Sequence, residues 1–358
     1  MKIIAACHRM DWTGAPIILF RLLTDLAKRH EVTVLRPQDP IDSAPLAAIY
    51  EEAAIDVVDR ATLEHFDVFL GNTIMTSQLA KQASKWCPVL WWIHEPNAGL
   101  GMIKRERVDL SAFNSVDLVC TSTHWQRDVV YREWVQDVET ALVPYGTEPV
   151  TCEEGRPEAF DRGGFHLVLS GYLGRRKGQA VALDALVRLR REGLHLHLLG
   201  SANVEQCQAA HIMRRVNEDA FLSAHVHVYG SVPQDQVMAF LAHADAFVFP
   251  TTDDLITISI LEAMSQELCV ISSDFGPIPE TVINGDTGLL FPVGDAETLA
   301  RRIAYAIDNP EERRRIAKGG YEIVRRKHGF RDHVDGMENA LERAIGIRRM
   351  RGCRLNSA

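Results

Sequence analysis

The chain has 358 residues, too many for one ordinary core, so two domains are the first expectation. Hydrophobic residues make up 46% and charged residues 24%, the balance of a soluble globular protein, and a formal net charge of −9 excludes a nucleic-acid binder, whose phosphate contacts need a basic face. No run approaches the roughly 20 apolar residues of a membrane-spanning helix, Met1–Cys7 reads as a buried strand rather than a signal peptide, and the seven cysteines are scattered and never spaced C-x-x-C, which points to free thiols in a reducing cytoplasm and to no zinc site.

Short β-rich runs then alternate with helical patterns. Strands read as Lys2–Cys7, Glu31–Leu35, Asp67–Leu70, Val89–Ile93, Asp117–Thr121 and Ala141–Pro144, with helices over Pro16–Arg29, Thr76–Lys85 and His124–Trp134. Pro16 suits a first helical turn, where its missing N–H costs nothing. Nearly all-apolar strands, each followed by a helix, imply a parallel sheet covered on both faces.

Thr147–Gly164 breaks the rhythm with Pro149, Gly155, Pro157, Gly163 and Gly164, and reads as a linker. Alternation resumes with strands Phe165–Ser170, Leu194–Leu199, His225–Tyr229, Ala246–Pro250, Cys269–Ser272 and Gly288–Phe291. The helices between them are Gln179–Arg191, Glu205–Asn217, Asp235–His243, Thr257–Gln266 and Ala296–Ile307; from Pro310 the chain is helical and charged. The expected fold is α/β: two Rossmann-like, doubly wound parallel-sheet domains facing across a cleft. Its divisions fall at 1–150, a linker over 151–164, a donor-binding domain over 165–335 and a helical basic tail over 336–358.

The chemistry concentrates in Pro250–Pro292. A strand ends at Pro250, a polar loop follows, and a helix opens at Thr257 and Ile258 with Glu262 inside it. Such a helix start offers backbone N–H groups and a positive dipole end to a phosphate, and Glu262 lies one and a half turns in, within reach of an attached ribose. Upstream, Gly171-Tyr172-Leu173-Gly174-Arg175-Arg176-Lys177-Gly178 places three cations between a buried strand and a helix. A nucleoside-diphosphate leaving group needs cations and N–H donors against its growing charge. No Asp-x-Asp occurs, and Asp253-Asp254 is a thin cluster for a hard cation. His195-Leu196-His197 and His225-Val226-His227 would each put both rings on one strand face, where histidines packed under helices are commoner than metal ligands. No metal is expected.

At these residues the chain resembles the retaining GT-B glycosyltransferases of family GT4, the glycosyl transferases group 1. Pro250, Asp254 and Glu262-Ala263-Met264 fall in register with the family's donor-site signature. Asp274-Phe275-Gly276-Pro277-Ile278-Pro279-Glu280, Gly285 and Thr287–Leu290 continue it. The resemblance implies that Glu262 holds the donor ribose, that Asp254 stands near the transferred sugar where the family has Glu, and that Arg176 and Lys177 neutralise the donor pyrophosphate. Tyr172 stands where the family usually has Arg, and Ile256-Thr257 replaces Phe-Gly.

In the first half the resemblance implies that His94, at the end of Trp91-Trp92-Ile93-His94, touches the transferred sugar. It also implies that the loop of Asp11-Trp12-Thr13-Gly14-Ala15 brings backbone close to donor and acceptor at Gly14, with Ala15 where the family has a second Gly. Trp12 and Glu95 are acceptor-side candidates. The implied activity is metal-independent hexosyl transfer, with retention, from a UDP- or GDP-linked sugar to a saccharide, lipid-linked or small-molecule acceptor, without a further cofactor, in the cytoplasm or at the inner face of the membrane. Asp254, Tyr172 and Ala15 motivate a second reading, a catalytically weakened nucleotide-sugar-binding partner of an active transferase. The basic stretch Arg343–Arg354 offers weak contact with anionic lipid but lacks the apolar wedge of firm binding, so a solvated terminal helix is the plainer reading.

Overall fold

The computed structural model describes the chain except residues 12, 38–45, 106, 149–154, 162 and 357–358. Its first sheet comprises β1 (Lys2–Cys7), β2 (Glu31–Leu35), β3 (Asp56–Val58), β4 (Val68–Asn72), β5 (Val89–Trp92), β6 (Leu118–Thr121) and β7 (Glu139–Leu142). The order is β3-β2-β1-β4-β5-β6-β7 and every pairing is parallel. A second sheet holds β8 (Phe165–Ser170), β9 (Leu194–Leu199), β10 (Val226–Gly230), β11 (Ala246–Phe249), β12 (Cys269–Ser273) and β13 (Leu289–Phe291). Its order is β10-β9-β8-β11-β12-β13, again all parallel. The central strands are buried on both faces, as their largely apolar runs imply, and in β9 the buried set includes His195 and His197. The doubly wound fold expected from the alternation is thus present in both halves.

Strand order reverses between β1 and β4 in one sheet and between β8 and β11 in the other. Crevices for ligands in open α/β sheets lie at the carboxyl ends of the strands flanking such a reversal. The helix Gly14–Leu26 follows β1 and buries Pro16, Leu19, Leu22, Leu23 and Leu26, a helical stripe facing the sheet.

The chain divides into Met1–Tyr145 with Arg331–Ala358, and Gly146–Phe330. This moves the expected boundary, because residues after 330 join the first unit rather than closing the second or forming a separate tail. The reason is an apolar stripe on the helix Phe330–Asn356: Val334, Met337, Leu341 and Ala344 are buried, and Met337 lies 3.8 Å from the Cys120 thiol of β6. Three arginines of the supposed solvated end are also engaged. Arg348 and Arg351 reach the fully buried Asp117 at 3.1 and 3.4 Å, and Arg343 reaches Glu139 at 3.6 Å.

Two further expectations change. Over His124–Trp134 the regular helix gives way to a π-helical turn at Gln126–Val130. The wider turn lets the Gln126 amide and the Tyr131 hydroxyl both donate to the Glu95 carbonyl, at 3.2 and 3.1 Å. His225 belongs to no strand; it ends the helix Ala220–His225, its Nδ1 donating to the Phe221 carbonyl at 2.8 Å.

Candidate functional site

In the second unit the carboxyl ends of β8 and β11 carry the two motifs singled out above. After β8 the chain turns through Gly171–Gly178. Gly178 adopts φ +71°, and a Cβ there would lie 1.8 Å from the Pro250 carbonyl oxygen, so only glycine lets this loop press against the end of β11. The contact is locked by backbone: Thr252 N–H donates to the Arg176 carbonyl at 2.9 Å. Gln179, buried at the next helix start, donates to the Tyr172 carbonyl at 2.9 Å and holds the loop from beneath.

This closure brings Arg176, Lys177 and Asp254 together. Lys177 Nζ lies 2.9 Å from Asp254 Oδ2, and Arg176 lies 3.6 Å from Asp254 Oδ1. The Thr251 hydroxyl is 3.1 Å from the same Oδ2. Arg176 also donates to the Asp253 carbonyl at 2.7 Å and to the Tyr172 hydroxyl at 3.3 Å. Tyr172 takes part in the cradle: its hydroxyl accepts from Arg176, and its ring lies 5.7 Å from the Lys177 ammonium. Burial works against the Arg176 charge, but Asp254, Tyr172 and Asp253 more than offset it and hold the guanidinium above its usual range. The arrangement is a half-buried cationic cradle with its own carboxylate inside it.

Thr257 caps the helix Ile258–Ser265 in extended backbone, and its hydroxyl pairs with that of Ser259 at 2.9 Å rather than with the helix amides. Ile258 is the first helical residue, and the N–H groups of this turn face the loop end. Glu262 is buried one turn on, its Oε1 accepting from the Gln234 amide at 2.8 Å. Spacing alone did not single out Gln234, Thr251 or Gln179: Gln234 reaches Glu262 across 28 residues, while Thr251 and Gln179 bond within their own loops, to Asp254 and Tyr172.

In the first unit, Trp12 lies outside the described residues. Gly14 opens the helix Gly14–Leu26, and a Cβ there would meet nothing within 4 Å, so no close approach inside the protein demands glycine at that position. His94 is fixed on both sides. Its Nδ1 is 2.6 Å from the Tyr145 hydroxyl and its Nε2 2.5 Å from Asn72 Oδ1. Asn72 in turn donates through Nδ2 to Cys7 Sγ and the Ala15 carbonyl, both at 3.2 Å, which fixes its oxygen toward His94. The imidazole therefore carries a proton on Nε2, which donates to Asn72. Burial, aided by His333 and His8, pushes its pKa down to about 3. A sugar hydroxyl would have to exchange with Asn72 or Tyr145 to reach either nitrogen. Glu95 likewise has framework work: Oε2 accepts from the backbone N–H groups of Ile74 and His94 at 2.9 and 3.1 Å.

The histidine pairs of the second sheet bond to one another. His166 Nδ1 is 3.0 Å from His197 Nε2, His197 Nδ1 is 3.0 Å from the Tyr229 hydroxyl, and His195 is 3.3 Å from His227. Among the described residues no group of three or more His, Cys, Asp or Glu side chains converges to hold a metal ion. Nor, among them, is any helix long and apolar enough to cross a membrane.

With this geometry in place, residues 153–323 match the family model described as glycosyl transferases group 1. The amylovoran biosynthesis glycosyltransferase AmsK of Erwinia amylovora is 29% identical over 136 residues, 36% of this chain and 32% of that protein. The lipopolysaccharide core biosynthesis glycosyltransferase LpsE of Rhizobium meliloti is 29% identical over 223 residues, 60% of this chain and 61% of its own length. The chain thus spans between a third and three fifths of these relatives. Among solved structures, Anabaena HepE in complex with UDP superposes with a TM-score of 0.80 at 17% identity, covering 96% of this chain and 100% of that one. Sucrose-phosphate synthase from Thermosynechococcus elongatus gives 0.72 at 19%, covering 95% and 98%. The fold is that of the GT-B glycosyltransferases.

Proposed function

We propose that the chain is a hexosyltransferase that takes a nucleoside-diphosphate sugar and passes the sugar, with retention and without a metal ion, to a saccharide, lipid-linked or small-molecule acceptor. The observation that carries this reading is the cradle of Arg176, Lys177 and Asp254 at the strand reversal of the second unit, one loop from the helix bearing Glu262. Arg176 and Lys177 take the diphosphate, and the amides at Thr257–Ile258 add donors that strengthen as charge grows on the leaving oxygen. Glu262 accepts from the ribose hydroxyls, oriented by Gln234. With no protein nucleophile invoked, the leaving phosphate oxygen takes the acceptor proton on the face it departs from, which preserves the anomeric configuration.

The Anabaena HepE structures contain UDP and, in one, UDP and glucose. That makes UDP-linked sugars the first donors to try, with GDP-linked sugars second. The names of AmsK and LpsE support acceptors on the way to polysaccharide or lipopolysaccharide, a setting that fits action in the cytoplasm or at the inner membrane face.

The test is release of nucleoside diphosphate from a donor panel in the presence of EDTA, with product anomers assigned by NMR. Turnover abolished in Lys177→Met supports the reading. Dependence on added divalent metal, or an inverted product, overturns the corresponding part. The engagement of Asp254 by both cations favours one alternative, a nucleotide-sugar-binding partner without turnover. Tight donor binding with no release across the panel would select it.

A further inference from the structure

Asp254 is the feature that a simple diphosphate cradle does not need. Its carboxylate is buried, with side-chain exposure of 9%, and it meets both cations of the cradle: Lys177 at 2.9 Å through Oδ2 and Arg176 at 3.6 Å through Oδ1. It is also held from a third side by the Thr251 hydroxyl, which ties it to the loop end of β11. The side chain of Lys177 is only 12% exposed and packs over the rings of Tyr172 and Phe249, at 5.7 and 5.3 Å, so this ammonium has little water to fall back on. A charge in such a place needs an anion at all times.

We infer that Asp254 is a built-in competitor of the nucleoside diphosphate: it neutralises Arg176 and Lys177 when the cradle is empty and retakes them as product leaves. The inference rests on the reading of this cradle as a diphosphate site. Once the product phosphate has passed the acceptor proton on to solvent it carries one more negative charge than the donor did, so the cations grip product more tightly than donor. Without an opposing anion, release would become the slow event of each cycle. A carboxylate anchored beside both cations reduces the net positive charge that the product meets and supplies the counter-ion that Lys177 needs as the phosphate departs. The shorter Asp matters here. Its carboxylate is held near its own backbone and close to Thr251, where it can neutralise the cations without swinging clear of them.

The experiment uses the full chain with UDP and GDP alone, without acceptor, so that transfer does not enter. Binding is measured by calorimetry, and dissociation by stopped-flow displacement, for wild type, Asp254→Asn, Lys177→Met and the double variant. Asp254→Asn is expected to bind nucleoside diphosphate roughly tenfold more tightly and to release it correspondingly more slowly. The gain should shrink severalfold on the Lys177→Met background, because the two side chains act on each other. Uridine, which has no phosphate, should show no gain. If Asp254→Asn folds with a wild-type melting profile and binds UDP or GDP equally or less well, the inference is overturned while the diphosphate site stands. If wild type binds neither nucleotide, the site reading falls and takes the inference with it. Should Asp254→Asn fail to fold, Asp254→Ser is read by the same criterion.

Discussion

Gln234 donates its side-chain amide to Glu262 at 2.8 Å, joining the first turn of the helix Gln234–His243 to the second turn of Ile258–Ser265. On the proposed reading Glu262 takes two ribose hydroxyls and must be aimed, and this bond fixes one of its oxygens. Gln234→Ala is expected to weaken UDP or GDP binding by roughly tenfold, the scale of one charge-assisted hydrogen bond, and Glu262→Ala by more. Inorganic pyrophosphate, which has no ribose, should bind both variants as it binds wild type. Equal loss for pyrophosphate in calorimetry would remove Glu262 from the ribose.

Gly178 is where the cradle loop presses against the end of β11. Its φ is +71°, and the Pro250 oxygen stands 1.8 Å from the point a Cβ would occupy, so Gly178→Ala meets both backbone strain and a collision. A cost of about 2 kcal/mol or more is expected from these together, read by urea unfolding. Because the loop would be pushed off β11, nucleotide affinity should fall as well, although no ligand-facing atom has changed.

The stability of both units should fall with acid. His94 and His197 are held neutral, pushed down from 6.5 to about 3 and about 2 by burial, with neighbouring histidines adding to it. Their stabilisation is complete above 6.5, the unfolded value, and is lost as pH falls toward the folded values, because below 6.5 only the unfolded chain takes the proton. Each such histidine contributes a slope of about 1.4 kcal/mol per pH unit in that window. In denaturant titrations between neutrality and moderate acid, His197→Leu should flatten the pH dependence while lowering stability at neutral pH.

The last helix should behave as part of the first core. Asp117 accepts from Val89 N–H at 2.9 Å and from Arg348 and Arg351, with no exposed surface of its own. Removing both arginines leaves a buried carboxylate, at a cost of about 3 kcal/mol, and Asp117→Asn in that background should recover part of it. Cutting the chain after Leu341 should likewise lower the melting temperature. Full-length protein should not float with phosphatidylserine vesicles, since Arg343, Arg348 and Arg351 already face acids and carbonyls of the protein.

Much of this was legible in the sequence, for definite reasons. Most strands are short, largely apolar runs between turn residues and helical patterns, so twelve of the thirteen described strands were visible; β3, three residues long and only partly buried, carried too little pattern to be seen. Lys177, Gly178 and Glu262 were singled out chiefly by their register with a family signature, since a basic turn or a helical Glu is by itself ordinary. What spacing could not convey was pairing across long separations. That Asp254 would meet Lys177, that Asn72 and Tyr145 would close on His94, and that Asp117 would wait for Arg348 are facts of tertiary packing. The helix from Phe330 was misassigned for the same cause, because its apolar stripe announces burial but not against which sheet.

The second unit begins and ends at one spot: Thr147 and Gly329 form a parallel bridge, and Thr147 N–H donates to the His328 carbonyl at 2.8 Å. The flanking ends of the first unit also meet, His333 donating to the Pro144 carbonyl at 2.8 Å. Gly146–Phe330 is thus a cassette set into a continuous host. It is suited to expression by itself, and the host is suited to being resealed by a short splice from Tyr145 to Arg331, whereas a fragment stopping at Tyr145 would lack the helix that completes its fold.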